Sequence, residues 1–222
     1  MLAAWLAALL LLTGQPVDVA LDPGHSRADI GASGGGLREY QLTLDLAQRV
    51  RWRLEAAGRS VRLTRENDEP LTALLSPGAT DDIRLEQTAR IEAGMPARVY
   101  VSLHFNGGPP GLRGTETYYN PDRGDPDADA ALAEAMQRNV LAALESGTGY
   151  VSLDRGVRSD LLAGKPYGHF FSLRGPVPSV LLEHLFLSNP TEAALLRDET
   201  TLEALADGAA QGILEYLAGA GD

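Results

Sequence analysis

Short β-prone runs alternate with longer stretches of helical periodicity along most of the chain. The predicted strands are residues 17–21, 60–64, 98–103, 114–119, 170–173 and 179–182. The predicted helices are residues 40–57, 81–93, 126–144 and 202–217, with loops at 71–80 and 147–167. This alternation predicts an α/β fold in which helices cover both faces of a sheet.

The first predicted helix has the clearest pattern. Leu42, Leu46, Val50 and Leu54 recur at helical spacing and form one apolar stripe, and Gly58 stands just past the end. The chain has 222 residues, and no long linker or internal repeat interrupts it. We therefore expect a single domain with one core.

The first twelve residues are apolar throughout, and Thr13-Gly14-Gln15-Pro16 follows them. This run is shorter than the roughly 20 residues that a membrane-spanning helix needs, so we expect no stable membrane span. Its length fits the apolar region of a secretory signal, although no Lys or Arg precedes it. We interpret residues 1–15 as a signal peptide and 16–222 as the folded domain. The alternative is a buried N-terminal helix of the fold.

Composition narrows the chemistry that the chain can carry out. The formal net charge of -11 argues against nucleic acid or an anionic membrane as the main partner. The absence of cysteine excludes disulfides, thiolate zinc sites and cysteine nucleophiles. A metal ion would need His, Asp or Glu ligands, and the four histidines are His25, His104, His169 and His184.

Two of these histidines and one glutamate follow predicted strands. His25 comes just after the first strand, His104 follows the third, and Glu183 follows the last. Ligand sites in α/β sheets form outside the carboxyl ends of the strands, so these side chains could share one cleft. Glu39 begins the first helix, and the glycine-rich segment before it could fold back toward His25. Two imidazoles and one carboxylate are a common catalytic zinc set.

Each candidate also has an ordinary structural interpretation. A lone histidine after a strand is usually a turn or capping residue. Glu39 at a helix start interacts favourably with the helix dipole. Glu183 follows a run of apolar residues and is harder to explain in this way, because buried carboxylates are rare without a partner.

A series of short motifs keeps its order from about residue 17 to residue 217. The motifs are Leu21-Asp22-Pro23-Gly24-His25, Asp29-Ile30-Gly31-Ala32, Glu39, Leu63-Thr64-Arg65 with Asp68, Ser102-Leu103-His104-Phe105-Asn106, Gly114-Thr115-Glu116-Thr117-Tyr118-Tyr119, Arg155-Gly156-Val157, Leu173-Arg174, Pro178-Ser179-Val180-Leu181-Leu182-Glu183 and Phe186-Leu187-Ser188-Asn189. Taken together, they resemble the motifs of a known family, the zinc-dependent N-acetylmuramoyl-L-alanine amidases of the Amidase_3 type.

The resemblance implies a single α/β domain with a mostly parallel, six-stranded twisted sheet. It implies that His25, Glu39 and His104 bind one Zn²⁺ per chain and that Glu183 is the catalytic glutamate. The implied substrate is peptidoglycan, cut at the amide bond between N-acetylmuramic acid and L-alanine. The implied location is the periplasm or the extracellular cell wall, and we expect a monomer. The need for an activator protein is left open.

Two further residues are candidates for contacting the substrate. Asn106 and His184 could each donate a hydrogen bond to the oxyanion that forms during amide hydrolysis. His184 and Leu185 stand where the family has small residues after its catalytic glutamate. Two other functions remain as alternatives: a zinc peptidase that cuts within the stem peptide, and a non-catalytic cell-wall-binding module. All four residues that the family uses, His25, Glu39, His104 and Glu183, are present. This counts against the binding module, because such a module does not need a general base.

Overall fold

Strands and helices alternate in the computed structural model, which describes residues 14–76 and 78–220. The strands are β1 (Val17–Pro23), β2 (Ser33–Gly34), β3 (Leu37–Arg38), β4 (Val61–Leu63), β5 (Ala97–Asn106), β6 (Thr115–Tyr119), β7 (Asp154–Ser159) and β8 (Ser179–Phe186). The α-helices are α1 (Glu39–Ala56), α2 (Thr80–Gly94), α3 (Pro126–Thr148), α4 (Pro190–Leu195) and α5 (Glu199–Gly219). Short 3-10 helices cover Asp160–Ala163 and Phe171–Leu173.

The main sheet has six strands in the order β4-β1-β5-β8-β6-β7. β1 pairs in parallel with both β4 and β5, β5 pairs in parallel with β8, and β6 pairs in parallel with β7. The pairing of β6 with β8 is antiparallel. The predicted single domain with a mostly parallel six-stranded sheet is therefore confirmed.

Helices cover both faces of the sheet, as predicted. Helices α1, α3 and α5 contribute to the main core on one face, together with Val99 and Val101 of β5. Because side chains alternate along a strand, Tyr100 and His104 of β5 point to the other face. Helix α2 packs on that second face against β1, β4 and β5. Asp22 of β1 and Ser102 of β5 form a buried polar cluster with Arg90 of α2 on that second face.

Two of the predicted elements are wrong. Residues 170–173 are not a strand; Phe171–Leu173 forms a 3-10 helix, and Phe170 and Leu173 pack against Tyr118 and Leu181. The sixth strand is instead β7, which lies inside the segment interpreted as a loop at 147–167. β7 pairs only with β6 among the described strands and lies at the sheet edge, so it carries charged residues where a central strand would be apolar.

The N-terminal segment bears on the interpretation of a signal peptide. Residues 1–13 lie outside the described part of the chain, so that interpretation stays a prediction. Within the described residues, no helix has the length and apolar character needed to cross a membrane.

Candidate active site

His25, Glu39 and His104 come together at the carboxyl ends of β1 and β5. His25 Nε2 lies 3.3 Å from Glu39 Oε2, and His104 Nδ1 lies 2.9 Å from Glu39 Oε1. One ligand atom from each side chain can be chosen so that all three lie within 4.8 Å of one another. The two rings meet edge to face with their centroids 4.9 Å apart.

This arrangement fits a zinc ion. Zinc binds imidazole nitrogen and carboxylate oxygen at about 2.0–2.2 Å, so tetrahedral ligand atoms lie roughly 3.4 Å apart. The imidazole–carboxylate separations of 3.3 and 2.9 Å lie close to that value, and one ligand atom from each side chain lies within 4.8 Å of the others. Three protein ligands also leave a fourth position for water or substrate, as catalytic zinc sites require.

The backbone around these ligands is shaped by close packing. His25 has a φ of 62°, in the left-handed region that non-glycine residues rarely adopt. A Cβ at Gly24 would lie 2.3 Å from the His104 ring, and one at Gly31 would lie 2.4 Å from Glu39 Oε2. Glycine at these two positions therefore lets the chain pass directly against the ligands.

Two buried arginines hold the segment that carries His25. Arg65 donates from Nε to the carbonyl of Pro23 and from Nη2 to that of Gly24, each at 3.0 Å. Arg90 donates to the Pro23 carbonyl at 2.5 Å and to the His25 carbonyl at 2.6 Å. Three consecutive carbonyls thus accept hydrogen bonds from guanidinium groups, which holds His25 in its left-handed conformation.

The charge of Arg90 is balanced within the interior. Its Nε donates to Glu86 Oε1 at 2.9 Å, and its Nη1 lies 3.2 Å from Asp22 Oδ1. Asp22 is fully buried and also accepts from the hydroxyls of Thr64 at 2.6 Å and Ser102 at 2.7 Å. Burial acts to raise the pKa of Asp22, but Arg90 and the hydroxyls outweigh it and keep that pKa below its usual value.

Hydrogen bonds also orient the three clustered side chains themselves. Asp29 Oδ2 lies 3.0 Å from His25 Nδ1, and the amides of Ala32 and Phe105 donate to Glu39 at 2.6 and 3.0 Å. Burial acts to lower the pKa of His25, but Glu39 and Asp29 outweigh it and raise that pKa to about 10. Such supporting partners set the orientation and basicity of metal ligands.

Glu183 lies beside this cluster on β8. It is in register with His104 of β5 on one side and with Glu116 of β6 on the other. Its Oε2 atom is buried and has no hydrogen-bond partner among the described residues. Burial, together with the nearby Glu39 carboxylate, raises the pKa of Glu183 to about 8. A carboxyl group with that pKa can both accept and donate a proton near neutral pH.

A cleft of about 670 Å³ opens over these residues. The ligand cluster lies under one part of it and Glu183 under its middle, where β8 runs between β5 and β6. Its other lining side chains include Asn106, Glu116, Tyr118, Arg155, Arg158, Lys165, Tyr167 and Phe170.

The two predicted substrate contacts have different outcomes. Asn106 lines the cleft, where its Nδ2 lies 3.4 Å from the His184 carbonyl. The His184 side chain is fully buried, with its ring 5.2 Å from Phe105 and its Nδ1 2.9 Å from the His104 carbonyl. The structure therefore does not bring the His184 imidazole into the cleft. Side chains alternate along β8, so Glu183 points toward the cleft and the next residue, His184, points to the opposite face of the sheet. Burial lowers the pKa of His184 to about 4.

Several residues at the site were not assigned roles from the sequence. Asp29 and Arg155 fell within the quoted motifs, but their side-chain partners depend on contacts distant in sequence or on local folding. Arg90 had no motif signal, since it lies inside the second helical stretch. The only signal in the sequence would have been the position of Arg90 on the face of this helix that packs against the sheet.

The chain is similar to known amidases over nearly its full length. The model of the Amidase_3 family, described as N-acetylmuramoyl-L-alanine amidase, matches residues 19–215. The germination-specific N-acetylmuramoyl-L-alanine amidase of Bacillus subtilis is 32% identical over 209 residues, which cover 92% of this chain and 81% of that protein. Some relatives are longer, and the chain spans 35% of the length of one of them.

Solved structures support the same assignment. The CwlD amidase from Clostridioides difficile, in complex with the GerS lipoprotein, superimposes with a TM-score of 0.74 at 28% identity, covering 91% of this chain and 98% of that one. The catalytic domain of CwlV from Bacillus (Paenibacillus) polymyxa var. colistinus gives 0.72 at 32% identity, with the same coverages. The chain therefore belongs to the family of N-acetylmuramoyl-L-alanine amidases, the hydrolases that cut peptidoglycan between N-acetylmuramic acid and L-alanine.

Proposed function

We propose that this amidase is zinc-dependent, with one Zn²⁺ held by His25, Glu39 and His104 and with Glu183 as its general base and acid. The observation that supports the proposal most directly is that the Glu183 Oε2 atom, which has no hydrogen-bond partner among the described residues, belongs to a residue in register with His104 of the ligand cluster. A structural carboxylate would be hydrogen-bonded, whereas a proton-transfer group must keep its oxygen available.

The chemistry then divides between the ion and the chain. Zinc, when bound, supplies a Lewis acid that polarises the amide carbonyl and makes water more acidic. Glu183 accepts a proton from the attacking water and then delivers a proton to the nitrogen of the departing L-alanine. Proton transfer by a positioned group of this kind contributes about 10²–10⁴-fold to the rate. Asn106 lies in the cleft as a side-chain donor for the developing oxyanion.

We infer that the enzyme works outside the cytoplasm, at the cell wall. The relatives are cell-wall amidases, and the apolar N-terminal run has the length of a signal sequence. The similar CwlD structure contains the GerS lipoprotein, so a lipoprotein activator is a partner worth including in activity assays.

Metal analysis tests the zinc proposal directly. We expect about one zinc per purified chain, and we expect His25→Ala and His104→Ala each to lose it because two ligands no longer suffice. His169→Ala is the matched control, since His169 instead pairs with Asp160 and Asp122. Equal zinc content in all four proteins would contradict the assignment of the ligands.

A digest of purified cell wall, run with and without a chelator, tests the reaction. We expect chelator-sensitive release of stem peptides with free L-alanine amino groups from intact glycan chains. Cleavage between two amino acids would instead indicate a peptidase, and binding without release would indicate a wall-binding module. Release that a chelator does not affect would contradict the zinc dependence but not the amidase activity.

A further inference from the structure

The cleft has a positively charged side, although the chain as a whole carries a net charge of -11. Arg155 and Arg158 reach this side from β7, and Lys165 reaches it from the segment that follows. Among the described lining residues from β6, β7 and that segment, Glu116 is the only acid. Three cations therefore face one carboxylate.

The two arginines are held in place but not fully paired. Arg158 Nη1 donates to Glu116 Oε2 at 2.7 Å, and Arg155 Nε lies 3.1 Å from the same oxygen. Arg155 also lies 5.1 Å over the Phe186 ring, and Arg158 lies 5.9 Å over the Tyr118 ring. One oxygen shared by two guanidinium groups leaves most of their donors for another anion.

Solvent access favours binding an anion here. The side chains of Arg155 and Arg158 are 22% and 30% exposed, so they are reachable from the cleft yet partly shielded from water. Lys165 is exposed, with its ammonium 5.8 Å from the Phe170 ring. Partial desolvation strengthens ionic hydrogen bonds relative to those at an open surface.

The sheet order indicates which part of the substrate lies there. The ligand cluster is at the ends of β1 and β5, Glu183 is on β8, and the arginines are beyond β6. The scissile carbonyl must face the ligand cluster, and its leaving nitrogen must face Glu183. The peptide that begins at that nitrogen then continues toward Glu116, whose Cβ lies about 5 Å from that of Glu183 in an opposed strand pair.

We propose that Arg155 and Arg158, assisted by Lys165, form a subsite for a carboxylate of the stem peptide just downstream of the bond that is cut. The group at that distance is the free α-carboxylate of the second residue, a γ-linked glutamate that cell walls carry either as the acid or as the amide. Guanidinium groups bind a carboxylate through paired N–H donors, whereas a carboxamide offers one neutral acceptor and adds donors that face cations. This inference rests on the proposed function.

Two soluble muropeptides that differ only at this group provide the test. We expect the wild-type enzyme to cleave the acid with a kcat/KM about tenfold or more above that of the amide, since ionic hydrogen bonds are worth more than neutral ones. In Arg158→Gln the ratio should fall to within about twofold, with Arg155→Lys between the two. Equal kcat/KM for acid and amide in the wild-type enzyme would overturn the subsite without any variant.

A matched control and a binding measurement separate the two proposals. Arg138 pairs with Glu215 on the surface and does not line the cleft, so Arg138→Gln should keep the wild-type ratio. If neither muropeptide is cleaved, the proposed function fails for these substrates, and the subsite is then judged by binding to zinc-loaded Glu183→Gln. A tighter Kd for the acid that Arg158→Gln abolishes supports the subsite, and equal Kd values overturn it.

Discussion

Two strands of the main sheet, β1 and β8, differ in how their buried polar groups are hydrogen-bonded. At the end of β1, the carbonyls of Pro23, Gly24 and His25 all accept hydrogen bonds from buried arginines. On β8, two strands away, the Oε2 atom of Glu183 is also buried but has no partner among the described residues. The first region fixes the backbone around His25, and the second leaves a carboxyl oxygen unsatisfied.

The difference shows that one fold can contain both a rigid hydrogen-bonded network and a carboxyl oxygen that is left without a partner. Satisfied buried networks are rigid, because each broken hydrogen bond would leave a costly unpaired group. An unsatisfied carboxyl group costs stability and gains a raised pKa, which is useful only where protons must be moved. Glu39 links the two regions, since its Oε2 lies 3.3 Å from His25 Nε2 and its charge adds to burial in raising the pKa of Glu183.

The largest effect should come from replacing Glu183, the proposed proton-transfer group. We expect Glu183→Gln to lower kcat on muropeptides by about 10²–10⁴-fold, because the amide cannot accept the proton from water. Zinc content should stay near that of the wild type, since Glu183 is not among the clustered ligands. Retention of kcat within a few-fold would show that the unsatisfied carboxyl group is not the base.

The sequence predicted the fold well where apolar spacing controls it. The stripe of Leu42, Leu46, Val50 and Leu54 is buried in α1, as its helical period predicts. Hydrophobic spacing was less informative at 170–173, because a short apolar run is equally compatible with a strand and a helix. Packing against Tyr118 determines the conformation of this segment. β7 escaped detection because an edge strand needs no apolar alternation.

The candidate site was predictable to the extent that strand ends reveal it. Their positions after strands and at a helix start made His25, Glu39 and His104 candidates, the family resemblance implied them as a ligand set, and the structure brings them together. The supporting contacts could not be predicted, because Arg90 reaches the His25 carbonyl across 65 residues. Such pairings are created by the tertiary fold and leave no local pattern.

A second prediction concerns the loss of Arg90 from the hydrogen-bonded network at the end of β1. We expect Arg90→Met to lower the free energy of unfolding by about 3–5 kcal/mol, since it leaves Asp22 and Glu86 buried without their cation. Urea unfolding measures this change. Arg84→Met on the same helix is the control; Arg84 is exposed, and its loss should cost within about 0.5 kcal/mol.

Zinc affinity gives the Arg90 variant a second readout. The lost hydrogen bond to the His25 carbonyl should loosen a metal ligand, so we expect weaker zinc binding at a temperature where the variant is still folded. Unchanged zinc affinity with reduced stability would show that Arg90 supports the fold without preorganising His25.

The last prediction concerns pH and the metal-free protein. The pKa of Glu183 is raised to about 8 in the folded state, against an ordinary value near 4.3 when unfolded. Between these two values the folded chain keeps a proton that the unfolded chain has released, so stability falls as pH rises. The slope from this one group is about 1.4 kcal/mol per pH unit at most.

Glu183→Gln isolates this contribution, because glutamine does not titrate. Urea midpoints of the two metal-free proteins should converge near pH 5 and diverge toward pH 8, with the variant the more stable at the higher pH. His25 and His184 titrate in both proteins, so their contributions largely cancel in the difference. Parallel pH profiles would mean that Glu183 is solvated or paired when the protein is folded, and the contrast between the two strands would lose its physical basis.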